Sequence, residues 1–135
     1  MAMFESAVQK RECGEVEEAV KLLLADFFDK SLFEPVLSEL LLADWHYMHE
    51  DIVRLLKPSR NPEVVNVLFE AAQVDHPYLE LGEDLCLLAR KCIKALSAIG
   101  GEHAVEKLTI LADNPKARIA GYAQKELDRI RDGEV

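Results

Sequence analysis

Residues 85–112 read LCLLARKCIKALSAIGGEHAVEKLTILA, and their apolar pattern has already run once, forty residues earlier, in WHYMHEDIVRLLKPSRNPEVVNVLFEAA, residues 45–72. Laid over one another without a gap, the two stretches place Met48 on Leu88, Ile52 on Cys92, Val53 on Ile93 and Leu56 on Leu96. Further on, Val65 meets Val105, Leu68 meets Leu108 and Ala72 meets Ala112. Apolar residues three and four apart fall on one side of a helix, so each stretch carries two amphipathic helices. Their breaks coincide too: KPSRNP (57–62) lies over SAIGGE (97–102). Each unit is therefore expected to be helix, short turn, helix. A third, partial copy starts 31 residues on, with Leu88 over Ile119, Cys92 over Ala123 and Leu96 over Leu127. A lone helical hairpin cannot bury both of its apolar rows, and self-similarity at this period marks hairpins stacked on their neighbours.

Working outward, helical periodicity continues almost everywhere and no useful strand-like alternation occurs. Helices are expected at about Met3–Glu12, stopped near Gly14, and at Glu15–Phe28, with Val16, Ala19, Val20, Leu23 and Phe27 on one face. A third is expected at Glu34–Ala43, opened by Pro35 and turning Val36, Leu37, Leu40 and Leu41 inward. The 135 residues are half apolar and 30% charged, which suits one ordered domain. Its expected parts are N-terminal helices over 1–43, a first repeat over 44–74, an inserted loop over 75–84, a second repeat over 85–113 and a terminal helix over 115–131. The longest apolar runs are too short to span a bilayer. The N-terminal MAMFESAVQKREC lacks a basic segment leading into an apolar block, so secretion is not expected. Cys13, Cys86 and Cys92 are odd in number and sit within apolar helical patterns. They read as reduced thiols of a cytoplasmic protein.

The run LARKCIKALSAIGGEHAVEKLTILADNPKARIAGYAQKEL (88–127) resembles the HEAT repeat. Ala95, Leu96, Ile99 and Gly100 match the close of that repeat's first helix. Asp113, Asn114 and Pro115 match its inter-repeat turn, and Arg118, Ile119 and Ala123 match the next helix more loosely, with Arg-Ile where the family has Val-Arg. The resemblance implies an all-α fold: a short right-handed α-solenoid of HEAT-like hairpins, here with an N-terminal helical cap. Fold resemblance of this kind constrains architecture far more than activity.

Net charge is −9, unevenly spread. Residues 1–60 carry net −5, residues 61–84 carry six acidic and no basic side chains, and residues 85–135 carry net +2. Nucleic-acid binding draws its affinity from Lys and Arg neutralising phosphates, so this balance argues against it, including the DNA glycosylase activity of some HEAT-like proteins. The chain shows no Gly-rich phosphate loop, nucleophile elbow or Cys-x-x-Cys, so no enzyme is expected and no cofactor. A small catalytic protein, such as a HEAT-type chromophore lyase, would need Cys or acidic residues converging in a groove, and no such set is visible.

The segment DWHYMHEDIV (44–53) raises a metal site as one reading. His46 and His49 are three apart and share a helix face, but Glu50 points about 100° away from His49 on a regular helix. The spacing is not His-Glu-x-x-His, and His76 and His103 lie elsewhere without an evident partner. Packing is the preferred reading, with Asp44 as the N-cap of a helix carrying Trp45 toward the core.

The fall of the repeat offset from 40 to 31 residues makes the link after the first unit about nine residues longer than the second's. The surplus lies in QVDHPYLELGED (73–84). One reading folds Tyr78, Leu79 and Leu81 onto the end of the stack. The other makes a binding loop, in which Asp75, Glu80, Glu83 and Asp84 rim Tyr78 and Leu79 for a basic partner. In the HEAT family second helices line the concave surface, which would turn Glu63, Asn66, Glu70, Glu102 and Glu106 toward one groove. The sequence also resembles small bacterial HEAT-repeat immunity proteins of polymorphic toxin systems. That resemblance implies a non-catalytic protein that neutralises a basic toxin domain, a nuclease among the candidates, with an adaptor for an endogenous protein as the alternative. No metal, membrane or nucleic-acid partner is expected.

Overall fold

Proline and asparagine set where several helices begin. In the computed structural model, which describes residues 10, 12–25, 30–74, 76, 78 and 86–133, Pro35 sits in the first turn of one helix and Pro62 in that of another. Both positions lack an intrahelical acceptor for an N–H, so the missing donor costs nothing there. The described residues form seven α-helices and one 3-10 turn, with no strand. They are α1 (Cys13–Leu24), the 3-10 turn Lys30–Phe33, α2 (Glu34–Leu41), α3 (His49–Leu56), α4 (Pro62–Ala71), α5 (Leu87–Ile99), α6 (Gly101–Leu111) and α7 (Ala117–Arg131). Among them no helix is long and apolar enough to cross a membrane.

The amphipathic rows read from the sequence are the ones buried. α1 buries Val16, Ala19, Val20 and Leu23, and α2 buries Val36, Leu37, Leu40 and Leu41. Across the forty-residue offset, Ile52 and Cys92, Val53 and Ile93, Leu56 and Leu96, and Leu68 and Leu108 are buried in pairs. The partial third copy buries Ile119 and Ala123 and packs Leu127 against the same core. Removing one such leucine from water contributes about 1.5–3 kcal/mol, so the repeated rows carry the fold. Contacts follow chain order. α1 packs on α3, α3 on α5 and α5 on α7, while α2 packs on α4 and α4 on α6. These two rows are joined by α2 on α3, α4 on α5, α5 on α6 and α6 on α7.

Both repeated units break at the expected place, by different chemistry. In the first, Ser59 Oγ accepts from the Asn61 N–H (3.1 Å) and Asn61 Oδ1 accepts from the Glu63 N–H (3.0 Å), capping α4. In the second, Gly100 ends α5 at φ +68°, a conformation that an L side chain rarely adopts, while its N–H reaches the Leu96 carbonyl at 3.0 Å.

Four expected boundaries are corrected. The break before α1 falls at Glu12, and Gly14 lies within the first turn. α1 closes at Ala25 and α2 at Leu42, both short of the expected ends at Phe28 and Ala43; residues 26–29 and most of the expected helix Met3–Glu12 lie outside the described residues. Asp44 caps nothing: it is exposed in a bend, and α3 starts at His49 with Met48 as N-cap. The side chain of His46 takes up backbone groups on either side of it, offering that stretch an alternative to helical bonding.

Candidate functional site

Two groups of polar side chains stand out among the described residues: those on the exposed faces of α4 and α6, and those at the junction leading into α3.

On α4 and α6, Glu63, Glu70, Glu102 and Glu106 are all exposed. Glu63 and Glu102 lie in first turns, where the helix dipole favours a negative charge. Among the described residues none of the four forms an ion pair, although Glu17, Glu50, Glu126 and Asp128 do. Asn66 differs from its neighbours. It is half-buried, and its Oδ1 accepts from His103 Nε2–H at 2.9 Å, which ties α4 to α6. One turn further along, the Lys107 ammonium lies 4.8 Å from the centre of the Phe69 ring, a second tie between the same helices. The two helices therefore present one edge with fixed spacing. Ile110, 48% exposed and one repeat from Glu70, adds an apolar patch that the charge pattern did not single out.

The expected loop site is only partly visible. Asp75, Glu80, Glu83 and Asp84, with Leu79 and Leu81, lie outside the described residues. Tyr78 is described, and it is half-buried with its hydroxyl turned inward: the O–H donates to His49 Nδ1, and the oxygen accepts from the His49 backbone N–H at 3.3 Å. Burial pushes the Tyr78 phenol up to about 12, against the pull of that backbone N–H and with Glu50 and Asp51 adding to the rise. The ring turned to solvent is Tyr47, 65% exposed and edge-on to Tyr78 with centroids 5.0 Å apart.

The junction contains what spacing alone missed. His46, His49 and His76 are all buried and lie in a row, His46 stacked on His49 with centroids 4.1 Å apart and His76 tilted against His49 at 3.9 Å. The expectation that His76 and His103 stand apart is thus corrected: His76 lies against His49, and His103 bonds to Asn66. Hydrogen bonds together with burial favour the neutral rings. His46 Nε2–H donates to the Leu40 carbonyl (2.6 Å) while its Nδ1 accepts from the Met48 N–H (3.0 Å). His49 Nε2–H likewise donates to the Ala43 carbonyl, leaving Nδ1 to accept from Tyr78. Each ring then uses both nitrogens as a neutral imidazole. Burial lowers the pKa of both, that of His49 to about 4; there the Ala43 carbonyl opposes the fall and the neighbouring His46 and His76 deepen it. Trp45 closes the stack, edge-on to His46 at 5.4 Å. The chemistry is that of a latch holding His76 and Tyr78 against the start of α3. Aromatic and imidazole residues crowding both 45–49 and 76–78 were the sequence signal.

Among the described residues no group of three or more His, Cys, Asp or Glu could hold a metal ion. Cys13 and Cys86 are half-buried thiols, and Cys92 is fully buried, which pushes its pKa up and leaves it a small apolar residue. Cys86 adopts a left-handed conformation at φ 65° just before α5, at the position equivalent to His46.

Comparison of the chain with known protein families, with curated proteins and with solved structures gives no match.

Proposed function

We propose that this chain is a short HEAT-like α-solenoid acting as a non-catalytic protein-binding module, and that it docks a basic protein on the acidic side of α4 and α6. The observation that carries the reading is the set of four exposed carboxylates, Glu63, Glu70, Glu102 and Glu106, none ion-paired among the described residues. Unpaired surface charge of one sign steers an oppositely charged partner and sets its orientation. Ile110 supplies an apolar contact beside them, in the way interface centres combine apolar anchors with a charged rim. Packing of each helix on its next-but-one neighbour supports the solenoid reading, as do the equivalent buried rows.

In its fuller form the proposal is an immunity protein that occupies the basic cleft of a toxin domain, a reading that rests on the resemblance of residues 45–101 to small bacterial HEAT-repeat immunity proteins. An anionic protein surface suits the active site of a nuclease, which is built to hold phosphates. The test is comparative capture from the source cells with two baits, the wild-type chain and a Glu70→Lys/Glu106→Lys chain. A basic protein retained by the first and lost by the second supports the reading, and loss of that protein's activity on binding supports inhibition. Retention by both baits places the interface elsewhere. A bound protein whose activity is unchanged favours an adaptor.

A further inference from the structure

Among the described residues, three of the buried polar side chains are imidazoles, and all three meet at the joint before α3. His49 touches both of the others, His46 at 4.1 Å between centroids and His76 at 3.9 Å. Its ring nitrogens are engaged: Nε2–H donates to the Ala43 carbonyl, and Nδ1 accepts from the Tyr78 hydroxyl. The Tyr78 oxygen in turn accepts from the His49 backbone N–H at 3.3 Å. The half-buried Tyr78 therefore covers both the nitrogen that would take up a proton and the first amide of α3. The charged groups around the joint do little to support an imidazolium. Burial is the largest influence on the His49 ring, and Asp44, the carboxylate that would favour a charge there, is the smallest. Glu50 and Asp51 act on Tyr78, but Lys91 of α5 holds Glu50 at 2.6 Å and Asp51 also acts on Lys21 of α1. Cys13 of α1 acts on Tyr78 as well, and α2 contributes the Leu40 carbonyl, which His46 holds. Neither His46 nor His49 forms an ion pair among the described residues. A proton on His49 would thus be a buried charge set against two further imidazoles.

We infer that this joint is an acid-operated catch: a proton reaches His49 Nδ1 only when Tyr78 and His76 leave the start of α3, so acid opens the joint while the helical rows stay packed. With the catch closed, His49 stays neutral down to about pH 4; with it open, the ring meets water and titrates near 6.5. The open state binds more protons between these values. The catch is therefore fully closed above about pH 6.5, and opening is favoured progressively as pH falls toward 4. Between pH 7.5 and pH 5 the open population should rise about thirtyfold through His49 alone. The opening is local because the buried side of α3 does not depend on it. Ile52, Val53, Leu55 and Leu56 are buried where α3 packs on α1, α2 and α5. Release also removes the ring that lies edge-on to the exposed Tyr47, so the aromatic surface at the joint differs between the two states. The catch is separate from the acidic edge of α4 and α6, and either can fail without the other.

Exchange of the His49 amide with water reports the catch, because Tyr78 holds that N–H. It is measured by NMR on the full chain at pH 7.5 and pH 5, with and without about 1 M urea, and with intrinsic rates divided out. The expected result is a fall in protection of about thirtyfold on going to pH 5. At either pH, urea should leave the His49 rate within about twofold while speeding exchange at the fully buried Leu96 about tenfold, because a local opening exposes little surface. His49→Gln keeps a hydrogen-bonding side chain but takes up no proton in this range, and it should cut the acid response at least about fivefold. His103→Gln, on α6 and bonded to Asn66, should leave the response within about twofold of the wild type. An acid response below about threefold, urea sensitivity at His49 equal to that at Leu96, or an undiminished response in His49→Gln would overturn the catch.

Discussion

The two repeated units share a packing frame and differ at its joints. α3 and α5 bury equivalent residues, Ile52 with Cys92 and Leu56 with Leu96, and α4 and α6 do the same with Leu68 and Leu108. Yet where the second unit places Ala89, the first places the fully buried imidazole of His49, and where the second has Cys86 the first has His46. An alanine at that position needs only space. An imidazole needs partners for two nitrogens, and it finds them in the Ala43 carbonyl and the Tyr78 hydroxyl. Repetition thus fixes the apolar rows, and the departure from it marks where His76 and Tyr78 are fastened.

The largest effect expected is on the shared rows. Leu56→Ala and Leu96→Ala should each lower unfolding free energy by about 2–5 kcal/mol, because each leaves a cavity in a fully buried row. Urea unfolding at pH 7.5 measures both, and a large cost at one position beside a negligible cost at the other would break the equivalence of the units.

Acid should separate the units next. His49 stays neutral in the folded chain down to about pH 4, whereas in the unfolded chain it takes up a proton near 6.5. The unfolded state therefore binds more protons between these values. The His49 contribution is fully present above about pH 6.5 and declines as pH falls toward 4, by roughly 2 kcal/mol at pH 5. His46, shifted in the same direction, adds to the slope. Denaturant titrations at pH 7.5 and pH 5 should show this loss in the wild type and a clearly smaller loss in His49→Ala.

Tyr78→Phe sharpens the comparison further, since it removes one oxygen and leaves the buried His49 Nδ1 without its donor. A cost of about 1–3 kcal/mol is expected, together with a rise in the mobility of the Trp45 side chain as read by fluorescence anisotropy. An unchanged midpoint would mean that the hydroxyl does not fasten the link. The smallest effect on stability is expected from Glu70→Lys/Glu106→Lys, within about 0.5 kcal/mol per site because both side chains are exposed and make no ion pair among the described residues. A loss beyond that would give the acidic edge a structural role and weaken its use as a docking surface.

How far the sequence alone could be read follows from the same contrast. Helical rows were legible because burial repeats every three or four residues, and two copies forty residues apart fix the register of both. Glu63, Glu70, Glu102 and Glu106 could be placed on exposed faces for the same reason, as the sides those rows leave free. The start of α3 was not legible. Asp44 has the chemistry of a cap, but His46 draws on Leu40 and Met48 only once tertiary packing has buried its ring. The contact of His76 with His49 depends on how a 27-residue stretch closes, which no local periodicity encodes. Nor did spacing show that Tyr78 turns inward and Tyr47 outward, because that choice was made by the partner waiting at His49.

Amide hydrogen exchange tests the contrast between the joints most directly. Protection at Ile52 and Val53 in α3 is compared with that at Cys92 and Ile93 in α5, at pH 7 and pH 5, with intrinsic exchange rates divided out. The account predicts that acid lowers protection in α3 by about thirtyfold, the equivalent of roughly 2 kcal/mol, and in α5 by no more than that. No change in α3, or a larger change in α5 than in α3, would contradict it.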